Sequence, residues 1–107
     1  MKVCLYVRVA QFDQTVLDCQ VKRQKDFSDK HNLEIVDVAT ECGSGLRFDR
    51  PELSRVETLA TDSKIDAVVI ANMSHLFRDT FLCYGFVKRM KMYGVKIFTL
   101  DSLQRLL

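Results

Sequence analysis

The sequence of 107 residues lacks the cysteine pairs, histidine clusters and glycine motifs that identify several common classes of protein. Its four cysteines, Cys4, Cys19, Cys42 and Cys83, form no C-x-x-C pair, and its two histidines complete no zinc-type spacing. We therefore expect reduced cysteines used as small apolar residues, with neither a disulfide framework nor a metal. Neither G-x-G-x-x-G nor G-x-x-x-x-G-K occurs, which excludes a dinucleotide fingerprint and a P-loop.

Long apolar runs are also missing. No stretch approaches the roughly 18 residues of a membrane span, and Arg8 interrupts the short apolar segment at the N-terminus. We therefore expect a cytoplasmic protein with no membrane partner. A hydrophobic share of 48% and a charged share of 28% predict one globular domain over residues 1–107. The net charge of +2 is too small to indicate a nucleic-acid partner by itself.

The period of the apolar pattern changes repeatedly along the chain, which is typical of an alternating α/β domain. The predicted strands are Lys2–Val9, Glu34–Thr40, Asp66–Ala71 and Val95–Leu100. Three helices are predicted between them, with Thr15 capping the first, Pro51 beginning the second, Ser74 capping the third and Gly94 following it. Their expected buried stripes are Leu17, Val21 and Phe27; then Leu53, Val56 and Ala60; then Leu76, Cys83, Val87 and Met90.

Basic residues follow three of the predicted strands. In open α/β sheets, ligands bind at the carboxyl ends of the strands. Arg8, Arg50 and Arg78 lie in or after the first three strands, where their guanidinium groups would hold a phosphate bidentately. Helix N-termini at the same edge would add unpaired N–H groups. The pattern therefore predicts an anion site.

Each of these residues also has a purely structural interpretation. Arg8, inside an apolar strand, would pair with an acid such as Glu41 if it faces no functional surface. Arg50 fits an exposed loop charge equally well, and Arg78 fits a helix-surface charge beside Asp79. The same holds for three further features: Gly43-Ser44-Gly45 as a tight turn, His75 as a surface histidine, and Lys88-Arg89-Met90-Lys91 as a solvated helix face.

A set of short motifs runs along the chain in one order. It consists of Tyr6-Val7-Arg8-Val9, Gln14, Gly43-Ser44-Gly45, Asp49-Arg50-Pro51 and Arg78-Asp79. In order and spacing, this set resembles the catalytic domain of serine recombinases, the resolvase/invertase and large serine integrase family. The resemblance spans nearly the whole chain. It implies a three-layer, resolvase-like α/β domain with a mostly parallel sheet of four or five strands.

The resemblance also implies a chemistry and a set of site residues. In active members, a serine attacks a DNA phosphodiester, which forms a 5′-phosphoserine link, frees a 3′-hydroxyl and needs no cofactor. Arg8, Arg50 and Arg78 match arginines that stabilise charge on the phosphate. Substrate contacts are implied for Tyr6, Gln14, Gln20, Ser44 and Asp79.

Three positions depart from the family pattern. Ala10 stands where the family has its nucleophilic serine, His75 replaces an arginine, and Ser74 replaces an aspartate. Loss of a nucleophile costs on the order of a million-fold in other covalent enzymes. We therefore expect a catalytically silent domain with a regulatory role. Its expected partners are the DNA phosphate backbone, bound weakly, and a full-length recombinase or further copies of itself.

Two alternatives stay open at this point. The chain would also fit a fragment of an active serine recombinase in which the nucleophilic serine was changed to alanine. Alternatively, an unrelated flavodoxin-like module that binds anions would share the α/β pattern and the basic residues at the strand ends.

Overall fold

A computed structural model describes residues 1–9, 13–42, 51–72, 80–100 and 105–106. One sheet, in the order β2-β1-β3-β4-β5, forms the middle of the fold. Its first four strands pair in parallel, and β5 is antiparallel to β4. The elements in chain order are β1 Lys2–Val9, α1 Gln14–Lys30, β2 Glu34–Cys42, α2 Pro51–Thr61, β3 Ala67–Ile70, α3 Thr80–Met92, β4 Lys96–Thr99 and β5 Arg105–Leu106.

Helices cover both faces of the sheet. On one face, Phe27 of α1 packs against a cluster that includes Val3 and Leu5 of β1. On the other face, Val56 of α2 and Phe86 of α3 share a larger core with Tyr6 and other residues of the sheet. All four residues of β3 are buried, as a central strand covered on both sides requires. The predicted three-layer α/β fold with a mostly parallel sheet is confirmed.

The strand order creates a switch point beside β1. From β1 the chain crosses to β2 on one side, and from β2 it crosses back to β3 on the other side. Pairing between β1 and β3 covers Val3 to Leu5, whereas pairing between β1 and β2 continues as far as Val9. The carboxyl end of β1 therefore extends beyond the last residue of β3, at the edge where ligands bind in this class of sheet.

Helix α1 begins differently from the prediction. The Asp13 carboxylate accepts hydrogen bonds from the backbone N–H groups of Thr15 and Val16, at 3.0 and 3.2 Å. Asp13 is therefore the N-cap, and the predicted cap at Thr15 is wrong. Aspartate serves well there because its short carboxylate reaches the free amides of the first turn and complements the helix dipole.

The inner face of α1 is more polar than its apolar pattern predicted. Leu17, Val21 and Phe27 are only half-buried, and the fully buried residues are Gln24 and Ser28. Ser28 Oγ donates to the Gln24 carbonyl at 2.9 Å, which satisfies its hydroxyl inside the helix. Counting apolar residues missed these two positions because neither of them is apolar.

The other helices follow their predicted stripes closely. Helix α2 begins at Pro51, and its expected inward residues Leu53, Val56 and Ala60 are buried. In α3, Met90 is fully buried, whereas Cys83 and Val87 pack half-buried against the same core. Phe86, which the predicted stripe omitted, is also fully buried. The predicted cap Ser74 and the first stripe residue Leu76 lie outside the described residues.

The three helices in the described part of the chain end in the same hydrogen-bonded motif. After each helix, one residue adopts a left-handed conformation, and the next amide donates to a carbonyl of the last turn at 2.8–2.9 Å. Gly94 fills this position after α3, as the sequence predicts, with a φ of 78°. Asn32 and Ser63 fill it after α1 and α2, at φ values of 56° and 59°.

Most predicted strand boundaries hold within one or two residues. The bounds of β1 agree with the prediction, β2 continues two residues further to Cys42, and β3 and β4 are each one residue shorter at both ends. The pairing register of β1 and β2 skips one residue at Val36, because Val3 pairs with Ile35 and Cys4 with Asp37. Strand β5 had no counterpart among the predicted strands.

Candidate functional site

Three strands of the sheet, β1, β2 and β3, end at the same carboxyl edge. Val9 of β1 pairs with Cys42 of β2, and β3 ends at Ile70 on the other side of β1. Because these strands are parallel, the segments that follow them, 10–12, 43–50 and 73–79, start at the same edge. The strand topology therefore places the residues before these segments at one edge, and the predicted convergence of the site residues themselves stays a prediction.

Most of the predicted site residues belong to those three segments and lie outside the described residues. They are Ala10, Ser44, Arg50, Ser74, His75, Arg78 and Asp79. The structure describes the other four, Tyr6, Arg8, Gln14 and Gln20, and it describes the residues from which the three segments depart.

Arg8 lies near the end of β1 and is half-buried. Its register partner on β2 is Glu41. Side chains of register partners in a parallel pair point to the same face of the sheet, and alternate residues along a strand share a face. Arg8 therefore shares a face with Tyr6 and Glu41, which is the face covered by α2. The predicted pairing of Arg8 with Glu41 stays a prediction.

Glu41 connects three elements at this edge. One of its carboxylate oxygens, Oε1, accepts a hydrogen bond of 2.6 Å from the hydroxyl of Tyr6. The other oxygen, Oε2, accepts a bond of 3.0 Å from the backbone N–H of Glu52, in the first turn of α2. Tyr6 itself is fully buried. Glu41 therefore holds β1, β2 and the beginning of α2 together. Helix α2 begins at Pro51, directly after position 50.

Two of the described helices, α1 and α2, have a carboxylate of this chain at their N-terminus. Asp13 occupies the N-terminus of α1, and Glu41 occupies that of α2. A carboxylate there satisfies free N–H groups and interacts favourably with the helix dipole. The N–H groups of Thr15, Val16 and Glu52 are therefore already satisfied by carboxylates of the chain itself.

The glutamines of α1 have distinct environments. Gln14 is exposed at the first turn, where its Nε2 donates to the Asp18 carboxylate at 2.8 Å. Gln20 is half-buried, and Gln24, one turn further along, donates from Nε2 to the Tyr6 carbonyl at 3.1 Å. Among the described residues, neither Gln20 nor Gln24 has a donor for its buried side-chain oxygen. Gln24 thus supports the backbone of β1 close to Arg8.

Two other arginines on the α2 side of the sheet are already paired with carboxylates. Arg55 makes ion pairs with Asp37 and Glu52, and hydrogen bonding to Glu52, then to Asp37, raises the pKa of its guanidinium. Arg89 makes a two-pronged contact with Glu57 at 2.8 and 3.3 Å, which raises its pKa in the same way. These arginines tie α2 to β2 and to α3.

The described cysteines and acids form no metal centre. Burial raises the pKa of the Cys4 thiol to about 12, so this side chain stays protonated and behaves as an apolar residue. Within the described ranges, no three His, Cys, Asp or Glu side chains converge as a cation would require. No helix in this part of the chain has the length and apolarity needed to cross a membrane.

Glu41 is the functional candidate that motif spacing alone did not bring out. The sequence singled it out only as a possible ion-pair partner of Arg8. Its role follows from the register, which places the polar end of β2 beside the polar end of β1. Aligning the last polar residues of two neighbouring parallel strands would have identified it.

Comparison with known proteins agrees with this geometry. The family described as "Resolvase, N terminal domain" matches residues 3–105. The fold is similar to the C-terminal catalytic domain of ISC1926 TnpA, an IS607-like serine recombinase, with a TM-score of 0.88, 24% identity, and coverage of 94% of this chain and 70% of that one. It is also similar to the N-terminal catalytic domain of TP901-1 integrase, with a TM-score of 0.88, 21% identity, and coverage of 98% and 81%.

A serine recombinase from Sulfolobus solfataricus is 26% identical, with a TM-score of 0.72 and coverage of 95% of this chain and 71% of that one. No curated protein sequence matches the chain significantly. The two structures below 25% identity support the fold, whereas the family match covers nearly every residue. Because the family model matches residues 3–105, the chain belongs to the resolvase N-terminal domain family.

Proposed function

We propose that this chain is a recombinase-type domain that binds the DNA phosphate backbone and does not cleave it. The observation that carries the proposal is the residue that follows β1. Position 10 comes directly after Val9, at the switch point and two residues beyond Arg8, and it is an alanine. Family membership supports DNA as the ligand class.

Strand cleavage of the family type needs a hydroxyl at this place. A serine oxygen would form a bond to phosphorus while the bond from phosphorus to the 3′ oxygen breaks, and that oxygen would leave as a hydroxyl after gaining a proton. The methyl group of Ala10 has no lone pair to donate. Arg8, with Arg50 and Arg78, would still bind the negatively charged diester, so binding without transfer is the expected outcome.

Glu41 is proposed as a positioning residue for this site. Its carboxylate fixes the Tyr6 hydroxyl and the first turn of α2 at the same time. The first turn of α2 follows Arg50 directly, and Tyr6 lies two residues before Arg8. This network therefore supports a fixed distance between Arg8 and Arg50, two of the three proposed phosphate-binding arginines.

The biological role proposed for a silent member is regulation of a competent recombinase, through association with it or with further copies of this chain. His75 also departs from the family pattern, which favours natural divergence over a single deliberate change. An unrelated flavodoxin-like module is not favoured, because the family match covers residues 3–105. Nor do the comparisons favour the alternative of an active recombinase fragment.

The test restores the missing hydroxyl oxygen at position 10. Ala10→Ser is prepared in the full chain, fused to a sequence-specific DNA-binding domain, and incubated with a nicked suicide substrate that traps a covalent 5′ link. The unchanged chain in the same fusion should give no covalent product and should still retard the DNA. We expect the serine variant, or Ala10→Ser with His75→Arg, to form the link.

Two controls separate the possible outcomes. Ala10→Ser combined with Arg8→Ala should abolish the covalent product, because the phosphate would lose its half-buried guanidinium. Covalent product from the unchanged chain would refute catalytic silence. A folded fusion that retards DNA no more strongly than its DNA-binding domain does alone would refute phosphate binding by this chain.

A further inference from the structure

Gln24 of α1 is a fully buried polar residue that contacts the central strand. Its Nε2 donates a hydrogen bond of 3.1 Å to the carbonyl of Tyr6. The other end of the amide, Oε1, is buried as well and accepts no bond from any of the described residues. On this side of the sheet, α1 faces an apolar cluster that includes Val3 and Leu5. A glutamine is therefore an exception among the residues buried here.

Stability alone does not account for this amide. A buried polar atom without a partner costs free energy, whereas a leucine or methionine of similar size has no polar group to satisfy. Gln20, one turn before Gln24, carries a second buried side-chain oxygen for which the described residues supply no donor. What the Gln24 amide adds, and an apolar side chain does not, is a directional contact to the backbone of β1.

The contact is made at the point where the pairing of β1 changes. The register of β1 with β3 covers Val3 to Leu5, and Tyr6 is the next residue. Among the described residues, the register from Tyr6 to Val9 continues with β2 alone. Gln24 therefore holds the backbone at the start of the part of β1 that has a register partner on one side only.

Tyr6 is held from both helical layers. From α1, Gln24 donates to its carbonyl. On the other face of the sheet, its hydroxyl donates to Glu41, which also accepts from the first turn of α2. Arg8 follows two residues later on the same strand and is half-buried. The position of Arg8 relative to both layers thus depends on how firmly Tyr6 is fixed.

From these observations we propose that Gln24 is a positioning residue for Arg8. Its hydrogen bond to the Tyr6 carbonyl fixes the carboxyl end of β1 from the α1 side, and this sets where the Arg8 guanidinium meets a DNA phosphate. Gln24 is fully buried, so it acts through the strand and not on the ligand. The identity of the ligand rests on the proposed function, whereas the positioning rests on the hydrogen bond itself.

The first measurement uses the unchanged full chain and hydrogen exchange followed by nuclear magnetic resonance. If Gln24 donates to the Tyr6 carbonyl, its side-chain amide should exchange at least about tenfold more slowly than that of Gln14. Gln14 is the matched control because its Nε2 also donates, but to Asp18 on an exposed surface. Equal rates would overturn the proposal, and this comparison requires no variant to fold.

The second measurement localises the effect along β1. Gln24→Met keeps the length of the side chain and removes the donor, so the backbone amides of residues 7–9 should exchange about tenfold faster, while those of residues 3–5 change little. Ser28→Ala is the matched control, because Ser28 is also buried in α1 but donates to the Gln24 carbonyl and not to β1. It should affect both groups of amides alike. If Gln24→Met also affects both groups alike, Gln24 is merely structural and the proposal is wrong.

The third measurement connects Gln24 to the phosphate through Arg8. In the fusion with a sequence-specific DNA-binding domain, Gln24→Met should weaken binding to a DNA duplex by about tenfold, and Ser28→Ala should leave it unchanged. Once Arg8 is replaced by alanine, adding Gln24→Met should have no further effect, because the residue that it positions is gone. Equal weakening with and without Arg8 would overturn the proposal, and so would unchanged binding by Gln24→Met.

Failure of the proposed function gives a different result. In that case the unchanged fusion binds DNA no more tightly than its DNA-binding domain does alone, which removes the phosphate as the ligand of Arg8. Faster exchange confined to residues 7–9 in Gln24→Met would still assign Gln24 to the carboxyl end of β1.

Discussion

Replacing Tyr6 by phenylalanine isolates the hydrogen bond that joins the central strand to the rest of the carboxyl edge. The Tyr6 ring is fully buried and would stay in place, so the change removes only the hydroxyl that donates to Glu41 Oε1 at 2.6 Å. A hydrogen bond to a charged acceptor contributes about 1.5–3 kcal/mol, and its loss leaves a partly buried carboxylate oxygen without that donor. We expect Tyr6→Phe to lower the free energy of unfolding by about 2 kcal/mol.

The assay is equilibrium unfolding in urea, followed by circular dichroism, with the slope of the transition checked for constancy. Tyr84→Phe is the matched control, because Tyr84 is 66% exposed and should lose no more than about 0.5 kcal/mol. A second variant, Glu41→Gln, keeps the shape but offers one acceptor oxygen where the carboxylate now accepts two bonds.

The double variant decides whether the two side chains act together. If the Tyr6–Glu41 bond is energetically real, Tyr6→Phe with Glu41→Gln should cost at least about 1 kcal/mol less than the sum of the single changes. Additivity within about 0.5 kcal/mol would refute the reasoning, and so would a loss for Tyr6→Phe no larger than that for Tyr84→Phe.

Two further stability predictions concern the ends of helices. Asp13→Ala should lower the free energy of unfolding by about 1 kcal/mol through loss of the N-cap, and Thr15→Ala should lower it clearly less. If urea unfolding gives the reverse order, Thr15 is the cap. Ser63→Gly should stabilise the protein by about 0.5–1 kcal/mol, because glycine adopts the left-handed conformation without a steric penalty. Gly94→Ala, where an added Cβ meets nothing within 4 Å, should destabilise the protein by about 1 kcal/mol because of the left-handed backbone. The midpoints of thermal unfolding should therefore shift in opposite directions for Ser63→Gly and Gly94→Ala, and two unchanged midpoints would contradict the argument.

The parts of the fold that could be predicted from the sequence depend on local signals, namely the repetition of apolar residues and the placement of proline and glycine at helix ends. The bounds of β1, the beginning of α2 at Pro51 and the left-handed turn at Gly94 each follow from one strong local signal. Such signals are short-range, so they need no knowledge of the neighbouring elements. The family resemblance then supplied the three-layer arrangement with a mostly parallel sheet.

The parts that escaped prediction depend on contacts between distant residues. Gln24 is fully buried because the Tyr6 carbonyl needs a donor, and no local pattern marks a glutamine for that purpose. Glu41 became visible as a connecting residue only through the register of β2 on β1 and the position of α2. The two-residue strand β5 is too short to carry a period.

The central position of β1 has a consequence for the order in which the protein can form during synthesis. The ribosome releases this strand before either of its neighbours, yet Cys4 and Leu5 need β2 on one side and β3 on the other. The residues from Val3 to Val7 are fully buried in the finished fold. Until residues 67–70 emerge, these side chains stay partly exposed to solvent. The nascent chain should therefore depend on chaperones or collapse slowly at this stage. Variants that delay the pairing of β3 should lower the yield of folded protein through aggregation and proteolysis, even where the free energy of unfolding of the finished fold is little changed.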